Sequence, residues 1–110
     1  MKMITVVLRP EQLPAVKKAL FDADMRHMTA TLVLGTAPET EQQLFRGVRR
    51  EVELCKRVRV EVAVKDTKLT STIEAISKGA KESGGFGKIF VTGINDVITI
   101  WTGDRGDDAL

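Results

Sequence analysis

Few side chains in this sequence are equipped for covalent chemistry, and their spacing narrows the field further. His27 is the single histidine, which excludes histidine metal clusters and paired-histidine zinc motifs. It falls between a helical and a strand-like segment and reads as an ordinary turn or surface residue. Cys55 is the single cysteine. Lys56 and Arg57 beside it would favour a thiolate, but with no histidine near it in sequence it reads as a packed thiol. Asp104, Asp107 and Asp108 read as a solvated acidic tail, so no metal site is expected. What remains is binding chemistry. Ser83-Gly84-Gly85-Phe86-Gly87 is a glycine-rich loop opening onto Lys88; glycines let backbone N–H groups approach an anion, and the lysine adds a point charge. Arg57 and Glu61 share one parity of a strand-like run and so point to the same side of it.

The elements that must position these residues follow from periodicity. Met3 to Leu8 is apolar at nearly every position and rich in β-branched residues, which predicts a strand buried on both faces. After Arg9-Pro10, Leu13, Val16 and Leu20 fall on one helical face, and Pro14 lies in the first turn, where its missing N–H costs nothing. Met28 to Leu34 is strand-like, and Gly35 ends it. Thr36 to Gly47 shows little periodicity and reads as a long exposed loop. Strict alternation then runs from Glu51 to Lys65, with Lys56 the one polar residue on the apolar parity, which suggests a bend there. Asp66-Thr67 offers an N-cap to a helix carrying Leu69, Ile73, Ile76 and Ala80. Lys88 to Val91 makes a strand, Gly93 to Asp96 a turn, and Val97 to Trp101 a further short strand. The order is β-α-β-β-α-β with a short C-terminal strand, an α+β sandwich of the ferredoxin-like kind. Its two helices can cover only one sheet face, so the open face is expected to meet another subunit.

Length and charge bound the function. The 110 residues make one domain, 1–110, large enough for a core without disulfides. A single cysteine suits a reducing compartment, and a cytoplasmic protein is expected. Arg9 interrupts the first apolar run too early for a signal peptide, and no run reaches membrane-spanning length, so no membrane insertion is expected. The net charge of +2 does not by itself argue for nucleic acid. Basic residues nevertheless gather at Arg46, Arg49, Arg50, Lys56, Arg57 and Arg59, opposed there only by Glu51 and Glu53.

Several segments, in order, resemble the PII signal-transduction (nitrogen regulatory) family. They are Met1-Lys2-Met3-Ile4 through Leu8-Arg9-Pro10 to Leu20, then Met28-Thr29 with a strand and Gly35. Phe45-Arg46-Gly47 is similar to the Tyr-Arg-Gly of the family's T-loop, and Arg57-Val58-Arg59-Val60-Glu61 to its Lys-x-Lys-x-Glu strand. Gly87-Lys88-Ile89-Phe90-Val91, Thr102-Gly103 and Gly106 to Leu110 match its C-terminal signature. The similarity runs end to end.

The resemblance implies a homotrimer of ferredoxin-like subunits that bind adenine nucleotide in the clefts between them. It implies a long T-loop between the second and third strands that docks on a transporter, an enzyme or a transcription factor. Its nucleotide site would use Thr29, Gly35, Arg57, Val62, Gly85, Gly87 and Lys88. Partner contacts would come from Glu39, Gln42, Phe45, Arg46, Arg49 and Arg50. The departures are specific. Two phosphate-binding arginines of the family correspond to Thr99 and Trp101, and the acidic residue of its glycine loop to Phe86. A T-loop glutamine corresponds to Glu39, a glycine before it to Ala37, and the tyrosine that is uridylylated in some relatives to Arg50. With no tyrosine anywhere, that modification is chemically impossible here.

These readings converge on a non-catalytic regulator that senses a small ligand, with ADP or AMP favoured and ATP binding weak. The alternative is a ferredoxin-like nucleic-acid-binding module using the basic stretch 46–59. Such modules stack bases on sheet aromatics, and this chain has only four Phe, one Trp and no Tyr, so no nucleic-acid partner is expected. An acylphosphatase-like enzyme with Arg9 as phosphate binder ranks below both, because the rest of that pattern is absent.

Overall fold

The computed structural model describes residues 1–25, 27–36 and 53–110. The T-loop residues Glu39, Gln42, Phe45, Arg46, Arg49 and Arg50 lie outside them. Strand β1 (Lys2–Leu8) leads through a 3₁₀ turn (Pro10–Gln12) into helix α1 (Leu13–Asp22), then β2 (Thr29–Thr36) and β3 (Leu54–Val64). A second 3₁₀ turn (Asp66–Lys68) precedes helix α2 (Leu69–Glu82), and β4 (Ile89–Gly93) completes an antiparallel sheet of order β2-β3-β1-β4. This is the expected α+β, ferredoxin-like arrangement.

Register explains which face is dry. β1 pairs with β3 from Lys2 opposite Val64 to Leu8 opposite Val58. Ile4, Val6 and Leu8 therefore share a face with Val58, Val60, Val62 and Val64, and all seven are buried beneath Val16 and Leu20 of α1 and Ile76 of α2. The two helices meet at Gly79, where an added Cβ would stand 2.7 Å from Val16 Cα and 2.8 Å from the Ala15 carbonyl oxygen. Only a hydrogen fits that crossing.

Four sequence expectations change. Met3, Thr5 and Val7, on the opposite face of β1, are half-buried in the single chain, because both helices lie on the other side of the sheet. β3 runs without a bend: Lys56 pairs with Leu34 beyond the end of β1, where its face is no longer covered and a charged side chain is tolerated. Asp66 does not cap α2; its carboxylate accepts a hydrogen bond from the N-terminal ammonium of Met1 at 2.8 Å. Val97–Trp101 is not a strand. The segment folds back on itself, with one isolated bridge between Ile98 and Arg105 and hydrogen bonds from Thr99 N to Asp104 O and from Gly103 N to Thr99 O. Arg105 donates to the Asp96 carboxylate across the base of this turn. Strand propensity needs a partner strand and a face to bury. Among the described residues neither is supplied, and Ile100 and Trp101 stand 99% and 94% exposed.

Candidate functional site

The glycine loop begins where α2 runs out of partners for its last carbonyls. Gly85 N donates back to Ala80 O at 2.7 Å, a helix-ending bond of the Schellman type, and Ser83 Oγ donates to Gly79 O at 2.7 Å. Gly85 and Gly87 have φ of +73° and +124°, a region that glycine enters at no steric cost. At Gly87 space also decides: a Cβ would lie 3.0 Å from the Val7 carbonyl oxygen. The loop is thereby pressed against the end of β1.

Gln12 fixes the loop from behind. Its side chain is fully buried. Nε2 donates to the carbonyls of Ala80 (3.2 Å) and Phe86 (3.0 Å), and Oε1 accepts from the backbone N–H of Arg9 at 2.9 Å. One amide thus ties the end of β1, the end of α2 and the loop together, using both its donors and its acceptor.

In front of the loop lies a groove of about 480 Å³, lined by Gly35, Arg57, Gly85, Phe86, Gly87 and Lys88, with Val7 and Phe90 as an apolar wall. Arg57 reaches it from β3. Arg57 pairs with Val33, and Gly35, two residues further along β2, makes room for its stem: a Cβ on Gly35 would come within 3.1 Å of Arg57 Cγ. The guanidinium donates through Nη1 to Lys56 O at 3.0 Å, and Arg57 is only 6% exposed. Its Cζ lies 5.0 Å from the centre of the Phe86 ring, and Arg9 Cζ lies 4.7 Å from the same ring. Both distances are within cation–π range. Glu61, on the same face of β3, is held by Arg59 at 3.2 Å.

Five of the seven expected binding residues therefore meet in one place: Gly35, Arg57, Gly85, Gly87 and Lys88. Two do not. Thr29 is at the other end of β2, opposite Glu61, about 20 Å from Gly35 at the usual rise of a strand. Val62 is 3% exposed and contributes to a separate groove with Met25, His27, Lys65 and Lys68. Thr99 and Trp101 belong to the folded-back turn after β4. Sequence reading gave no sign of Gln12 in this site, showed Phe86 only as a departure within the glycine loop, and showed Arg9 only as the phosphate binder of the acylphosphatase-like reading. A phenylalanine inside a glycine loop was the available signal; the arginines over it are far away in sequence and invisible to spacing. Among the described residues no cluster of His, Cys, Asp and Glu is arranged to hold a metal ion, and no helix is long and apolar enough to cross a membrane.

Chemically, the groove offers backbone amides, one lysine, one held arginine and an apolar wall. That combination suits an anionic group attached to a flat or apolar body.

Comparison with known proteins bears on the family. The family model for the nitrogen regulatory protein P-II matches residues 1–104. The chain is 37% identical to nitrogen regulatory protein GlnK1 of Methanosarcina mazei, covering all of this chain and 97% of that one. It is 35% identical to nitrogen regulatory protein P-II of Azospirillum brasilense, with both chains covered in full. It is 38% identical to nitrogen regulatory protein P-II 1 of Methanothermobacter thermautotrophicus, covering all of this chain and 97% of that protein.

Proposed function

Because the chain belongs to the nitrogen regulatory protein P-II family, we propose that it is a cytoplasmic, trimeric, non-catalytic regulator. It senses an adenine nucleotide and controls a partner protein through its T-loop. The observation that carries the ligand reading is the meeting of Gly35, Arg57, Gly85, Gly87 and Lys88 in one groove. Amides and two cations suit one or two phosphate groups.

The position of Thr29 and Val62 supports a shared site. Along the paired strands Thr29 and Val62 lie about 13 and 17 Å from Arg57, and Val62 faces the buried core side of the sheet, so the seven residues do not converge on one nucleotide within one chain. In a ring of subunits, the phosphate half of one chain would face the Thr29 and Val62 half of the next, so each cleft is complete only between chains. The apolar side chains left exposed, Leu32 at 85%, Ile100 at 99% and Trp101 at 94%, are what such clefts and their rims would cover.

The ligand ranking follows from charge. Thr99 and Trp101 put no cation where outer phosphates would lie, so ADP or AMP is held better than ATP. Glu39 carries a negative charge that opposes 2-oxoglutarate. The T-loop residues Glu39, Gln42, Phe45, Arg46, Arg49 and Arg50 are the partner-docking surface of this reading.

Light scattering together with isothermal titration of AMP, ADP, ATP and 2-oxoglutarate tests it. The expected result is three times the chain mass, tighter binding of ADP or AMP than of ATP, and no response to 2-oxoglutarate. A monomer mass overturns the assembly. Low-micromolar ATP binding that tightens with magnesium and 2-oxoglutarate overturns the ligand ranking. Salt-dependent binding of single-stranded oligonucleotides, with no nucleotide binding, replaces the whole reading by the nucleic-acid one.

A further inference from the structure

Phe86 is the only residue of the glycine loop with a large side chain, and two arginines lie over its ring, Arg9 at 4.7 Å and Arg57 at 5.0 Å. We infer that Phe86 is the positioning residue of the groove. It sets the Arg57 guanidinium for a phosphate-bearing ligand while adding no negative charge beside it. The inference rests on the groove being the phosphate half of a ligand site.

Three features act together on Arg57. Its stem passes over Gly35, where only a hydrogen fits, since a Cβ would lie 3.1 Å from Cγ. Its head is tied at one nitrogen to the Lys56 carbonyl at 3.0 Å. The guanidinium carbon then lies 5.0 Å from the centre of a ring whose own backbone is fixed from behind by Gln12 at 3.0 Å. The result is a cation only 6% exposed at the wall of an otherwise open groove.

The choice of an aromatic ring has an electrostatic consequence. A carboxylate at position 86 would also hold an arginine, through charge-assisted hydrogen bonds. It would in addition lower the positive potential of the groove and compete with a phosphate for the same donors. A phenyl ring attracts the cation by its quadrupole and leaves the net charge of the groove unchanged. No carboxylate occurs among the described residues that line it.

The test uses the full chain and the variants Phe86→Leu, Phe86→Tyr and Arg57→Lys. The first readout needs no ligand: the Nε–Hε resonance of Arg57 in ¹⁵N-labelled protein. It should be ring-current shifted in the wild type and in Phe86→Tyr, and move toward the free-arginine position in Phe86→Leu. An unmoved resonance in Phe86→Leu overturns the inference. The second readout is titration with ADP and with inorganic pyrophosphate. Phe86→Leu should bind each about tenfold more weakly, Phe86→Tyr should bind like the wild type, and Phe86→Leu should cost much less when Arg57→Lys is already present. Equal affinities in wild type and Phe86→Leu overturn the inference. If the wild type binds neither probe while the resonance shifts as described, the nucleotide reading falls and the positioning role stands. Retained far-UV circular dichroism and melting transition separate all of these outcomes from misfolding.

Discussion

The side-chain amide of Gln12 donates to the carbonyl of Phe86 at 3.0 Å, across 74 positions of sequence. That single bond connects the first turn after β1 to the loop that shapes the groove. It also explains a fully buried polar side chain beside a largely apolar core.

Removing the amide should therefore be costly. Gln12→Ala leaves the Phe86 carbonyl and the Arg9 N–H without the bonds they have now. The expected loss is about 2–3 kcal/mol, from the usual cost of unsatisfied buried groups. Gln12→Glu should lose a similar amount, because it keeps an acceptor for Arg9 but sets a carboxylate against two carbonyl oxygens. Urea unfolding curves read both, and a loss below about 0.5 kcal/mol would contradict the account.

Glycines of the same chain should respond very differently to alanine. Gly79→Ala gains helix propensity, about 1 kcal/mol in an exposed helix, yet its methyl would stand 2.7 Å from Val16 Cα. Pushing α1 and α2 apart should outweigh the gain, for a net loss of about 1–3 kcal/mol. Gly84→Ala meets nothing within 4 Å and suffers only its φ of +115°, a cost of about 1 kcal/mol. Thermal melts of the two variants should rank in that order.

Gly35→Ala tests the groove more than the fold. The methyl would be 3.1 Å from Arg57 Cγ, the movable stem of a long side chain. Stability should change by less than about 1 kcal/mol, while ADP affinity falls several-fold as the guanidinium leaves the Phe86 ring. Denaturation and titration on one preparation separate the two effects.

Acid should weaken the native state through two exposed carboxylates. Asp66 is held below its usual value of 3.8 first by its hydrogen bond to the N-terminal ammonium and then by that group's charge. Asp96 is held low chiefly by its hydrogen bond from Arg105. A carboxyl with a depressed native pKa binds protons less readily when folded, so its contribution is full above about pH 4 and is lost as pH falls below that. Asp66→Asn and Asp96→Asn should each flatten the fall in stability between pH 5 and 2.5, by a small amount that shrinks further in salt. Unchanged slopes in both variants would remove these pairs from the account.

Restoring charge at the turn after β4 tests whether the cleft is intact. Thr99→Arg with Trp101→Arg adds two guanidinium groups suited to bidentate phosphate contacts. ATP binding should strengthen by about tenfold or more, with ADP gaining less. No gain for ATP would mean that these positions do not face the ligand.

The sequence carried the scaffold because its signals are local or ordered. Alternation placed Val58 to Val64 on one face, the 3.6-residue period placed Val16, Leu20 and Ile76 on theirs, and the ordered matches from Met1 to Leu110 identified the family. Local signals failed where a segment's fate depends on what it meets. Val97 to Trp101 has strand composition but no partner strand or buried face among the described residues, so it turns back. Lys56 broke the alternation without bending β3, because the helices end before it. Asp66 looked like a cap and instead meets the first residue of the chain.

The binding groove itself was half legible. Glycines and Lys88 announce an anion site by type and spacing, since their chemistry lies in the backbone and in a single charge. That Arg57 lies on Phe86, that Gly35 makes room for its stem and that Gln12 braces the loop were decided only in three dimensions. The first joins β3 to a loop far away in sequence, the second joins β2 to β3, and the third joins the turn after β1 to that same loop. Their geometry depends on antiparallel register and helix packing, which no spacing along the chain encodes. The separation of Thr29 and Val62 from the other five residues is the same kind of fact, fixed by the length of two paired strands.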